Sequence, residues 1–206
     1  MHPDIMEQAD RWNELYRSQR RTWRGVTDLG ELPFSAGSRI LEVGCGNGKT
    51  LAALKDAGYS VTGIDFSSEA VKACKELIGN DADVICASVT DMPFDDGAFD
   101  GAVMFHVLEN LDVPDIKKAV AELHRVLRPG SYLAVKVFSE DDMRSGKGEA
   151  ISEDTVVRGN GIRYRYFTEE KLKDAFQGAE CISIRTVRED TRFGEVRSRI
   201  EAAFRF

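Results

Sequence analysis

Two acids bracket a glycine-rich turn in the first third of the chain. Glu42 stands two residues ahead of Gly44, Gly46 and Gly48 follow at alternate positions, and Asp65 comes 21 residues after Gly44. Glycine lets backbone approach a ligand within van der Waals distance, because no Cβ intervenes and positive φ is allowed. A helix that begins after such a turn offers free N–H groups at its start. An acid about twenty residues on, at the tip of the next strand, is placed to accept hydrogen bonds from both hydroxyls of a ribose. A dinucleotide site needs another glycine five residues after the first, and here that position is Lys49. Glu42 would repel a pyrophosphate but suits a ligand amine or sulfonium. The spacing therefore points to a nucleoside bearing a cation, not to a dinucleotide.

The elements that must hold these groups follow from periodicity. Ile40, Leu41 and Val43 form a short apolar run that suits a strand buried on both faces. Leu51 and Leu54 share a helical face that Gly58 can close, and Val61 to Ile64 is a second strand ending in Asp65. Ser67 or Ser68 caps a helix whose inner face is Val71, Cys74 and Leu77, and Asp83 to Ala87 is a third strand. Phe99 to Met104 is a fourth, with the loop Phe105 to Asn110 leaving its carboxyl end, where open α/β sheets place their chemistry. A strong amphipathic helix runs from Ile116 to Leu127, opened by Pro114 and stopped by Pro129-Gly130, and Tyr132 to Phe138 is a fifth strand. Residues 139–161 have mixed charge and little period, so they read as a long functional loop. A helix capped by Thr168 and two alternating stretches, around Ile182 to Ile184 and Ile200 to Phe206, close the chain. Ahead of the sheet, Ile5, Ala9, Trp12, Tyr16 and Trp23 recur near helical spacing within a basic segment.

The run Glu42-Val43-Gly44-Cys45-Gly46-Asn47-Gly48 resembles the first motif of the class I S-adenosylmethionine-dependent methyltransferases. Phe99-Asp100 and Leu127-Arg128-Pro129-Gly130 resemble later signatures of that family, with Ser131 in place of a second glycine. Ser88 to Phe94 resembles its adenine segment, in which the first position is an acid that accepts from the adenine amino group. Here that position is Ser88, whose uncharged hydroxyl makes a weaker bond, and the Val89 N–H would meet a ring nitrogen. The resemblance implies an α/β, Rossmann-like doubly wound sheet of seven strands, mostly parallel, with an antiparallel C-terminal strand pair. It implies S-adenosylmethionine as cofactor and S-adenosylhomocysteine as product, held by Glu42, Gly44, Cys45, Gly46, Asp65, Phe66, Ser88, Val89, Met104 and Phe105. The stretch from Trp12 to Gly25 is similar to the N-terminal segment of small-molecule methyltransferases of the tellurite-resistance type, which folds over the cofactor. That likeness adds Tyr16 and Trp23. One domain over 1–206 is expected, with a helical lid segment at 1–30, a cofactor core at 38–138, and a lid loop, helix and last two strands at 139–206.

Methyl transfer demands a nucleophile held in line with the methyl carbon, an orientation worth about 7–11 kcal/mol. His106 sits where acceptor and methyl group should meet and is the candidate base. Glu109, Asn110, Glu140, Asp141 and Asp142 are candidate acceptor-pocket residues; the run of three acids reads as a solvated charge run, so no metal is expected. Four dispersed cysteines form neither a zinc pattern nor a disulfide framework and read as buried thiols. The net charge of −7 argues against nucleic acid and for a small-molecule acceptor. RNA or protein methylation, or cofactor binding without catalysis, stand as alternatives. No stretch is long and apolar enough for a membrane helix, and the first residues lack a signal-peptide pattern, so a cytoplasmic monomer or homodimer is expected.

Overall fold

The computed structural model describes residues 3–18 and 27–206, of residues 3–5 the backbone alone. Trp23 and the arginines around it lie outside the described residues. Along the chain, α1 (Pro3–Ser18) precedes β1 (Arg39–Val43), α2 (Lys49–Asp56), β2 (Ser60–Asp65), α3 (Ser68–Ile78), β3 (Asp83–Cys86) and β4 (Phe99–Phe105). There follow α4 (Val113–Val126), β5 (Leu127–Phe138), three short strands β6 (Glu149–Ser152), β7 (Thr155–Val157) and β8 (Arg163–Arg165), then α5 (Glu169–Ala175), β9 (Glu180–Asp190) and β10 (Val196–Arg205).

Seven strands form one sheet in the order β3-β2-β1-β4-β5-β10-β9. Pairs are parallel from β3 to β5, and β10 runs antiparallel to both β5 and β9. The chain winds outward from β1 to β3 and returns to β4 beside β1. The loops after β1 and β4 therefore diverge and leave a crevice at the carboxyl edge.

Strand alternation distributes β1 between two cores. Ile40 packs with Leu51, Leu54, Cys74 and Ile78 of α2 and α3. Leu41 and Val43 face the opposite cluster, with Val120 and Leu123 of α4, Leu172 of α5, and Phe176 just after it. Three helices carry side-chain caps, each accepting from a first-turn N–H: Ser67 from Ala70, Asp112 from Asp115 and Thr168 from Lys171.

Several expectations need correction. The inner face of α3 ends in Ile78, while Leu77 is 57% exposed, because burial follows i, i+3, i+7 from Val71. β5 begins at Leu127, directly after α4, with Gly130 at φ 82. Cys45 and Cys74 are buried, but Cys86 and Cys181 are exposed. Residues 139–161 are not a bare loop: they contain β6 and β7, which pair antiparallel with β8 in a second sheet.

That small sheet and α1 form one cover over the crevice. Val156, Ile162, Tyr164 and Tyr166 pack against Trp12, Leu15 and Phe138. Gln8 accepts from the Arg163 N–H at 3.1 Å and donates to the Gly161 carbonyl at 3.3 Å. On the core side, Asn13 Oδ1 accepts from Ser67 Oγ at 2.8 Å and the Glu69 N–H at 3.2 Å. Helix α1 thus bridges the start of α3 and the small sheet.

Candidate active site

A cavity of about 530 Å³ occupies the crevice. At one end is the turn after β1, where Gly44 and Gly46 take φ values of 72° and 53°. A Cβ on Gly44 would collide with Val107 Cγ2, and one on Gly46 would lie 2.8 Å from the Tyr16 hydroxyl. Close approach from both sides leaves no room for a side chain here.

Asp65, 8% exposed, stands at the tip of β2. Its carboxylate accepts from the Gly46 N–H and the Ser67 N–H, each at 2.9 Å. Burial nevertheless raises it from 3.8 to about 6, against the pull of those two donors. Asp65 thus organises both the glycine turn and the start of α3, and it is not the loosely packed strand-tip acid that its position in the chain suggests.

Glu42 is 4% exposed and also pushed well up, by burial first and then by Cys74 and Asp65. Thr50 and the Leu51 N–H hydrogen-bond to it, while Oε2 is buried without a hydrogen-bond partner. A buried carboxylate oxygen left unpaired costs free energy until a donor, such as a ligand ammonium, arrives. Cys45 faces Cys74, whose thiol contact and the surrounding burial raise it far above an ordinary thiol.

The cavity wall brings together Tyr16, Glu42, Gly44, Cys45, Gly46, Asp65, Phe66, Ser88, Val89, Phe105 and His106, as the sequence suggested. Met104 is the exception. It is fully buried in the cluster beneath α4, because strand alternation points Phe105, not Met104, toward the cavity. Ser88 lines the wall, but its hydroxyl is already engaged with Thr90 Oγ1 at 2.8 Å and the Thr90 N–H at 3.2 Å.

His106 follows β4 immediately, with φ at 60°, the one non-glycine residue at positive φ among the described residues. Such a conformation costs on the order of 1–3 kcal/mol and persists only where its surroundings enforce it. Here they do. The His106 N–H donates to the Lys136 carbonyl at 2.7 Å, and its ring packs 4.5 Å from that of Phe138. Nδ1 lies 2.9 Å from Glu109 Oε1, which also accepts from the Phe138 N–H at 2.9 Å. Glu109 is fully buried behind the histidine and does not line the pocket. A carboxylate accepts only, so Nδ1 carries the hydrogen and Nε2 is the basic nitrogen.

Of the other acceptor-pocket candidates, Asn110 and Asp142 line the cavity, whereas Glu140 and Asp141 do not. Sequence reasoning missed Lys136, Phe138 and Arg144. The first two lie at the carboxyl end of β5, beside β4, a signal that strand order supplies.

The chain matches the family described as a methyltransferase domain over residues 41–135. It is 37% identical over 159 residues to the tRNA N(3)-cytidine methyltransferase METTL2 of Danio rerio, covering 70% of this chain and 45% of that protein. It is 32% identical over 180 residues to the demethylmenaquinone methyltransferase of Clavibacter sepedonicus, covering 82% of this chain and 72% of that one. The crystal structure of a SAM-dependent methyltransferase from Methanosarcina mazei superposes with a TM-score of 0.71 at 26% identity, covering 86% of this chain and 98% of that one. The chain thus spans about half the length of the tRNA methyltransferases it matches. Their presence overturns the argument from charge against nucleic acid. A net charge of −7 is a whole-molecule sum, whereas binding follows the local field at one face.

Proposed function

The chain belongs to the class I S-adenosylmethionine-dependent methyltransferase family, and from that premise we propose that it transfers a methyl group from S-adenosylmethionine to an acceptor seated beside His106. The observation that carries the reading is the pair of buried carboxylates around the glycine turn, Asp65 at 8% and Glu42 at 4% exposure. Asp65 would hold the ribose hydroxyls, Glu42 the amine through its unpaired oxygen, and the Val89 N–H the adenine. The cofactor, when bound, supplies a methyl group on a sulfonium whose leaving thioether is neutral.

The remaining work falls to this chain. His106 accepts the acceptor's proton at Nε2, while Glu109 fixes the ring and stabilises the imidazolium that forms. Proton removal of this kind contributes about 10²–10⁴-fold. Phe138 packs against the His106 ring and, with Glu109, holds it at the cavity wall. The acceptor is a small molecule or, in the reading that the tRNA-modifying relatives favour, a base carried by RNA.

Calorimetry with S-adenosylmethionine, S-adenosylhomocysteine and NAD tests the cofactor. Binding of the first two and not the third is expected; NAD binding with none of the others would defeat the reading.

A further inference from the structure

One wall of the cavity is built for a particular kind of acceptor. Trp12, His106, Phe138 and Tyr164 line it. The Phe138 ring lies 4.5 Å from that of His106 and 6.5 Å from that of Tyr164, and Trp12 packs in the same cluster. Walls of this kind favour the flat face of a ring.

Cationic and donor groups sit among these rings. The Arg144 guanidinium stacks 4.1 Å over Phe138. It is held by Asp142, through Nε to Oδ1 at 2.6 Å and Nη2 to Oδ2 at 3.0 Å, and neither bond uses Nη1. Asp142 is 3% exposed and is itself fixed by the Ser198 N–H at 2.9 Å, so the guanidinium is oriented before any ligand binds. The Trp12 indole N–H is buried with no hydrogen-bond partner, which is costly unless a ligand oxygen meets it. Two other cations of the cavity are committed: Arg199 to Glu189 and Glu201, and Lys136 to Glu201. Arg197, which also lines the cavity, has no ion-pair partner among the described residues.

We propose that the acceptor is a planar aromatic or heteroaromatic ring bearing an anionic oxygen group, with the ring among Trp12, His106 and Tyr164 and the anion facing Arg144 and the Trp12 N–H. This deepens the methyltransferase reading and rests on it. The same chemistry is offered by a free aromatic acid and by a nucleotide within RNA.

The test uses paired probes that differ only in charge, titrated into the full chain saturated with S-adenosylhomocysteine: 4-hydroxybenzoate against 4-hydroxybenzamide, and cytidine 5′-monophosphate against cytidine. In at least one pair the anion should bind about tenfold tighter or more, as a hydrogen bond to a charged group implies. A preference in the first pair identifies a small aromatic acid and in the second a nucleotide; either supports the proposal. Arg144→Gln should reduce the preference to about threefold or less, and Trp12→Phe, which keeps the ring, should weaken the anion several-fold. The wild-type comparison stands even if Arg144→Gln does not fold. Failure to bind S-adenosylhomocysteine would remove the methyltransferase reading itself. Normal binding of that molecule, with equal affinity within both pairs or no saturable binding of any probe, would overturn the acceptor proposal alone.

Discussion

Replacing Asp65 separates its two duties, because they depend on its charge in opposite ways. Burial holds this carboxyl at about 6 in the folded chain, against 3.8 as its ordinary value. As pH rises from about 4, the unfolded chain gives up this proton before the folded one does. The native state therefore loses stability across pH 4 to 6, by roughly 3 kcal/mol, and the loss is complete above 6. Asp65→Asn should abolish that part of the decline. Ribose hydroxyls, in contrast, donate to the ionised form. At pH 5 about one molecule in eleven has Asp65 ionised, so Kd for S-adenosylhomocysteine should rise about tenfold between pH 7 and pH 5. At pH 7, Asp65→Ala should weaken binding by roughly 30- to 1,000-fold, from charge-assisted hydrogen bonds of about 1.5–3 kcal/mol each with overlap between them. Asp65→Asn should fall between wild type and alanine. Glu42, also raised by burial, leaves some pH dependence in both variants. Calorimetry across this pH range, paired with melting temperatures, reads both duties. An unchanged Kd in both variants at pH 7 would show that Asp65 does not hold the cofactor, whatever the stability does.

Other substitutions test the rest of the site. His106→Ala should lower kcat about 10²-fold or more with cofactor affinity nearly intact, as measured by single-turnover methyl transfer. Glu109→Gln should lower kcat less than His106→Ala with KM nearly unchanged, whereas a purely structural Glu109 would change melting temperature alone. Gly44→Ala forces a side chain against Val107 at positive φ and should cost S-adenosylhomocysteine affinity about tenfold or more by calorimetry. Gln8→Ala removes its bonds to the Arg163 N–H and the Gly161 carbonyl and should destabilise the chain by about 1–2 kcal/mol in urea unfolding.

The cofactor half was readable because its signals are local. The alternation of Ile40 and Leu41 between two cores, three glycines at alternate positions and an acid at a strand tip each sit within a few residues of what they determine. Met104 came from the family resemblance, and the same alternation turns it away from the cavity into the core. The second sheet was not readable: β6 is exposed throughout, β7 and β8 are three residues each, and their pairing depends on turns between them. Nor was the role of Glu109, which depends on the Phe138 N–H, 29 residues away in sequence. Arg144 gave no signal within a stretch of mixed charge, since only the folded chain lays it over Phe138.

The central claim is methyl transfer, and transfer is followed most directly with S-adenosylmethionine labelled in its methyl group. The full chain would be incubated with the label and, in parallel, a fractionated metabolite extract and bulk tRNA. Methyl transfer by this chain predicts that label passes into one of these with wild type and falls by about 10²-fold with His106→Ala. Tight cofactor binding with no label transferred to any fraction would contradict it, and would leave a chain that holds the cofactor without using it.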